Sequence, residues 1–80
     1  DVALGISTSG TSANVLRGLK AAREVGMATV GFGGGDGGKL GMATDLLLIV
    51  PSAITARIQE MHITLGHLLC AALEKELGLV

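Results

Sequence analysis

The sequence predicts an α/β fold, a parallel sheet with flanking helices. Short apolar runs of strand length alternate with segments of helical period. The first and third runs are continuously apolar rather than alternating, the mark of parallel strands covered on both faces. Each run stops in a polar or glycine-rich segment, or at a proline, where a parallel sheet places its turns. The resulting order is strand, helix, strand, short helix, strand, helix, with the right-handed crossovers that parallel strands require.

Val2–Ile6 is the first strand, ending in Ser7-Thr8-Ser9-Gly10. Residues 12–25 follow as a helix whose apolar stripe is Val15, Leu16, Leu19, Ala22 and Val25, with Arg17, Lys20, Arg23 and Glu24 opposite and Gly26 as its C-terminal cap. The second strand is residues 28–32. Residues 33–38, Gly-Gly-Gly-Asp-Gly-Gly, are too flexible for a strand or helix and read as a loop, with Asp36 as a turn former. A helical turn over residues 39–43 leads to Leu46–Val50, a third strand buried on both faces and stopped by Pro51. Ser52 or Thr55 then caps a long helix over residues 53–77, in which Ile58, Met61, Leu65, Leu68, Ala72 and Leu73 recur at helical spacing. Ile63, Cys70 and Ala71 lie on its other side, so its middle is apolar nearly all round and should be buried on more than one side, with a partner subunit as the economical cover.

Eighty residues allow one small domain. A globule of this size buries only roughly 60% of its unfolded-chain surface. Three strands make a thin sheet, so residues 1–80 are expected to form the C-terminal part of a single larger domain, and its exposed edge and apolar helix favour self-association. With a net charge of −1, singly scattered basic residues and no Trp or Tyr, nucleic-acid binding is disfavoured. No apolar run approaches the roughly 18 residues of a membrane span. The start of the chain lacks a basic leader, and Cys70 is the sole cysteine, so a reduced, cytoplasmic setting is expected, with Cys70 a small buried hydrophobe.

Ligands of parallel sheets bind beyond the carboxyl ends of the strands, and the most polar such end is residues 7–12, where Ser7, Thr8, Ser9, Thr11 and Ser12 place five hydroxyls in six residues. A helix starts directly afterwards. Its free N–H groups and positive dipole end, joined by hydroxyl donors, suit a phosphate dianion, whereas ordinary capping would need only one or two of these residues. The formal GxGxxG of Gly33, Gly35 and Gly38 is not a dinucleotide site, because a strand rather than a full helix follows it. In the long helix Gln59, Glu60, His62 and His67 are the polar candidates. At ~100° per residue, Glu60 falls within about 20° of His67, Gln59 within about 80°, and His62 about 140° away. His67 is therefore grouped with Glu60 and Gln59, while Gly66 suggests a close approach to the helix backbone.

The segments Leu4-Gly5-Ile6-Ser7-Thr8-Ser9-Gly10-Thr11-Ser12-Ala13-Asn14-Val15, Asp36-Gly37-Gly38 and Ala56-Arg57-Ile58-Gln59-Glu60-Met61-His62 to His67 resemble the SIS (sugar isomerase) domain, a flavodoxin-like fold, and within it the phosphoheptose isomerases. The resemblance implies conversion of sedoheptulose 7-phosphate to D-glycero-D-manno-heptose 7-phosphate, towards the heptose of bacterial lipopolysaccharide. It assigns Ser7, Thr8, Ser9 and Ser12 to the phosphate and His67 to general acid/base chemistry through an enediol. It also makes Gln59 a substrate contact, gives Gln59 and His67 as two ligands of a zinc ion, and implies a homotetramer with sites between subunits. Thr11 stands where the family usually has Asn, and Gly33 where a Thr often stands. The family's catalytic glutamate and remaining zinc ligands lie outside the matched positions, so these residues alone are expected not to turn over substrate. The alternative is a non-catalytic SIS module that binds a phosphosugar or a protein such as a replication initiator; that relative has Asn where His67 stands.

Overall fold

The computed structural model describes residues 1–79. Three parallel strands, β1 (Val2–Ile6), β2 (Ala28–Gly34) and β3 (Leu46–Val50), form one sheet in the order β1-β2-β3. Helix α1 (Ala13–Glu24) joins β1 to β2, a 3₁₀ turn (Leu40–Ala43) lies between β2 and β3, and α2 (Thr55–Glu76) follows β3. The α/β class and the order of elements agree with the sequence reading, and β1 and β3 have the expected bounds.

One face of the sheet is closed by α1 and the 3₁₀ turn. Leu19 comes down on Gly5, and Leu40 on Gly31 and Gly33, where side chains on the strands would collide with them. Leu19 and Leu40 are accordingly buried. At the amino ends of the strands Asp45 locks the turn to β2. Its carboxylate accepts the Thr29 N–H at 2.8 Å and the Thr29 hydroxyl at 3.2 Å, and Arg23 bonds both Asp45 and the Met42 carbonyl. These bonds, the Thr29 N–H foremost, hold the Asp45 carboxyl below the ordinary aspartate value.

The other face receives α2 at one place. Gly34 and Phe32 point this way, and Ile58 sits so close to Gly34 that a Cβ there would lie 2.5 Å from its Cδ1. This explains a correction: Gly33 and Gly34 belong to β2, not to a loop, because they pair with Ile49 and Val50 and leave room for a helix to approach the backbone. The remaining loop behaves as expected, with Asp36 accepting the Gly38 N–H at 2.9 Å.

Burial corrects three further expectations. β1 and β3 are the outer strands, and Val2, Leu4 and Ile6 on the first and Leu46, Leu48 and Ile49 on the third are exposed rather than covered on both faces. Within α2 only Ile58 and His62 are buried, while Met61, Leu68, Leu69 and Leu73 face solvent, because no element of the described residues lies over the distal half of the helix. Cys70 is exposed for the same reason. Neither proposed cap holds α2: Ile54 is its N-cap residue, and the Ser52 hydroxyl instead accepts the Ile54 N–H at 3.1 Å. No helix is long and apolar enough to cross a membrane among the described residues.

Candidate functional site

A cleft of about 750 Å³ opens between the carboxyl end of β1 and α2. Ser7, Thr8 and Ser12 form one wall, and Gln59, His62, Gly66, His67 and Cys70 the other, with Ile6 and Ile63 as apolar flooring. Among the described residues, no ionisable group borders it apart from the two imidazoles and the Cys70 thiol, so a bound anion would be held by dipoles rather than by lysine or arginine.

The turn is organised around Ser7, which is buried. Its N–H donates to the Phe32 carbonyl at 3.0 Å, extending the β1–β2 ladder by one bond. Its Oγ accepts the Gly10 N–H at 3.0 Å and lies 3.0 Å from the Ser12 Oγ. Because Ser12 turns its hydroxyl to Ser7, it makes no capping bond to α1, and among the described residues the first-turn N–H groups have no side-chain acceptor. Gly10 has φ 71°, and a Cβ there would strike the Gly37 carbonyl. The close approach that Gly10 permits is thus to the glycine-rich loop, with the Lys39 N–H donating to the Gly10 carbonyl at 2.9 Å. Ser9 stands apart from the main cleft. Its hydroxyl accepts the Thr11 N–H and hydroxyl, and it borders an adjoining cavity of about 250 Å³ with Thr8, Asp36, Ser52 and Thr55.

On the helix side the structure brings Gln59 and His67 to the cleft as expected, but pairs them with His62 instead of Glu60. Glu60 points elsewhere and bonds Arg57 at 2.7 Å. Measured from Gln59 at ~100° per residue, the lining residues span an arc from about −60° at His62 to about +80° at His67, and Glu60 falls just outside at about 100°. The stripe Gln59, Ile63, Gly66, Cys70 at spacings of four, three and four was the available signal for this face. Nothing in the described residues approaches Gly66; a Cβ there would meet open space, so its contribution is width. His62 is buried, its Nε2 lies 2.8 Å from the Gly33 carbonyl, and its ring packs on Phe32 at 5.7 Å between centroids.

No group of three or more His, Cys, Asp or Glu able to hold a metal occurs among the described residues. Gln59 and His67 supply an amide oxygen and an imidazole nitrogen on one cleft, two donors where zinc takes four. These two donors alone do not make a zinc site.

A parallel α/β module with a polar cleft past the strand ends, built from a hydroxyl turn and one helix face, is the class of protein this geometry defines. The comparisons narrow it. The chain is 60% identical over 74 residues to the phosphoheptose isomerase of Paramagnetospirillum magneticum, covering 92% of this chain and 38% of that protein. It is 55% identical over 75 residues to that of Aquifex aeolicus, covering 94% and 39%. The structure superimposes on phosphoheptose isomerase from Neisseria gonorrhoeae with a TM-score of 0.86 and 51% identity over 90% of this chain and 41% of that one. For the protein from Francisella tularensis the TM-score is 0.88, with 37% identity over 94% and 42%. No family model matches. The chain is a homologue of the phosphoheptose isomerases, which are SIS-domain proteins, and it spans about two-fifths of the length of the curated relatives it matches.

Proposed function

We propose that this chain forms the phosphate-binding and proton-transferring part of an aldose–ketose isomerase that interconverts sedoheptulose 7-phosphate and D-glycero-D-manno-heptose 7-phosphate. The observation that carries the reading is the shared cleft: Ser7, Thr8 and Ser12 face Gln59 and His67 across one opening of about 750 Å³. In this reading the phosphate dianion takes hydrogen bonds from the Ser/Thr hydroxyls and the free N–H groups at the start of α1. Ser9 contributes from the adjoining cavity. The heptose chain then extends towards α2, where Gln59 orients its oxygens.

His67 acts as the acid/base group. It removes the proton on C1 of the ketose, giving an enediol, and returns a proton to C2 to give the aldose; the hydroxyl proton moves in parallel from O1 to O2. An imidazole suits both directions, since it accepts and donates protons near neutral pH. Zinc, held in part by Gln59 and His67 with donors from outside these residues, would polarise the carbonyl. The glutamate that the resemblance implies also comes from outside these residues. The bare apolar side chains of β1 and α2 support association with further protein, a homotetramer in this reading, in a cytoplasmic setting.

Titration with sedoheptulose 7-phosphate, followed at the amides of Ser7 to Ser12, tests the phosphate site; shifts confined to those residues and the neighbouring loop are expected, and their absence would overturn it. In the enzyme carrying this chain, His67→Ala should reduce turnover by at least about 10²-fold, the scale of general acid/base catalysis, while sugar-phosphate binding persists. Binding without turnover in the unaltered enzyme would make this a phosphosugar-binding module instead.

A further inference from the structure

The two walls of the cleft are hung from adjacent carbonyls of one strand. The Ser7 N–H bonds the Phe32 carbonyl at 3.0 Å, and the His62 Nε2 bonds the Gly33 carbonyl at 2.8 Å. Resting on the isomerase reading, we propose that His62 is a positioning residue, whose bond to Gly33 sets the rotation of α2 that turns Gln59 and His67 towards the hydroxyl turn.

Three observations converge on this assignment. First, among the described residues the His62–Gly33 bond is the sole side-chain hydrogen bond from α2 to another element, since Thr64 bonds Glu60 and Arg57 bonds Glu60 within the helix. The other buried contact of α2, Ile58 on Gly34, is apolar and sets how near the helix lies to β2. The His62–Gly33 bond adds a directional constraint on its rotation. Second, the bond fixes the tautomer. A carbonyl acceptor requires the proton on Nε2, which in the neutral ring leaves Nδ1 a lone-pair acceptor, and among the described residues Nδ1 is buried without a partner. An unpaired buried acceptor is unfavourable, so packing alone would be served better by Leu or Phe. The imidazole is explained by the bond that its other nitrogen makes. Third, the lever is long enough to matter. With side-chain tips roughly 6 Å from a helix axis, a roll of about 20° displaces them by about 2 Å. Misplacement of a reacting group by ~1 Å can cost about 10²-fold in rate.

The test compares His62→Leu, which fills the volume without a donor, with His62→Gln, whose amide nitrogen can stand near the Nε2 position. In the enzyme carrying this chain, His62→Leu should lower kcat on sedoheptulose 7-phosphate by ten- to a hundredfold. KM should rise by a smaller factor than kcat falls, because the Gln59 contact is displaced while the phosphate turn hangs from Phe32, and the thermal midpoint should be unchanged or higher. His62→Gln should restore most of kcat. Nitrogen-15 spectra of the imidazole should show His62 as the Nε2–H tautomer in the wild type.

Wild-type kcat in His62→Leu would overturn the proposal, as would a kcat loss that follows loss of folded protein and is not recovered by Gln, or the Nδ1–H tautomer in the wild type. Absence of turnover in the wild type would instead be a failure of the isomerase reading. The pin is then judged with inorganic phosphate: a shift of the His67 ring signals on binding that is lost in His62→Leu and regained in His62→Gln supports it, and the same shift in all three proteins overturns it.

Discussion

On the α1 side of the sheet, Leu19 and Leu40 press onto Gly5, Gly31 and Gly33 and exclude water, whereas on the α2 side Val2, Leu4, Ile6, Leu46 and Leu48 remain exposed beside a helix that touches the sheet through Ile58 and His62. Both faces are apolar in sequence. What differs is the company: α1 and the 3₁₀ turn lie over small residues that admit them, while the buried side chains of α2, Ile58 and His62, meet the sheet at Phe32 to Gly34 and the helix runs on into solvent. One face is therefore closed over β1 and β2, with Ile49 of β3 exposed at its margin. The other is a surface whose stability depends on what else packs there, and the cleft forms along its rim.

The contrast can be broken most severely at Leu40, which is fully buried. Leu40→Ala should destabilise by about 3 kcal/mol, measured by urea denaturation, since truncating a core leucine loses both transfer energy and packing. A smaller loss, about 2 kcal/mol, is expected for Gly31→Ala, whose Cβ would lie 2.9 Å from both Leu40 Cγ and Thr44 Cγ2. Acid should weaken the closed face next. The Asp45 carboxyl is held below the ordinary aspartate value, chiefly by the Thr29 N–H, so its contribution is fully present above the unfolded-state value and is lost as pH falls through the lower folded-state value. Asp45→Asn should remove that part of the acid dependence, read from denaturation midpoints across the acid range. The smallest effect belongs to the open face. Leu4→Thr should change stability by less than about 0.5 kcal/mol in dilute solution. A loss above about 1 kcal/mol there would show that the face is covered.

Much of the closed face was legible in the sequence, because it follows from local rules. The stripe through Leu16 and Leu19, the stop at Gly26 and the block at Pro51 each act over a few residues, and Gly26 does take up φ 89° at the end of α1. The hydroxyl turn was legible too, since five hydroxyls at a strand end exceed what capping needs. The open face was not. Periodicity says in which direction Leu68, Cys70 and Leu73 point, but nothing about whether a neighbour exists in that direction. Gly33 and Gly34 were unreadable as strand for a related reason: their ladder partners Ile49 and Val50 lie sixteen residues further along. His62 is set apart from the site by the helical wheel, which groups side chains by angle alone, whereas its partner is a backbone carbonyl on β2.

The interlock between Gly10 and the following glycine loop has a consequence for how occupancy is felt. Lys39 donates to the Gly10 carbonyl, and a side chain on Gly38 would run into Ser9 and Gly10, so the two crossings are meshed like teeth. Neither can loosen alone. An anion that stills the serines should also slow deuterium uptake at Gly37 to Lys39, making a stretch without a hydroxyl of its own the quiet witness to a filled site.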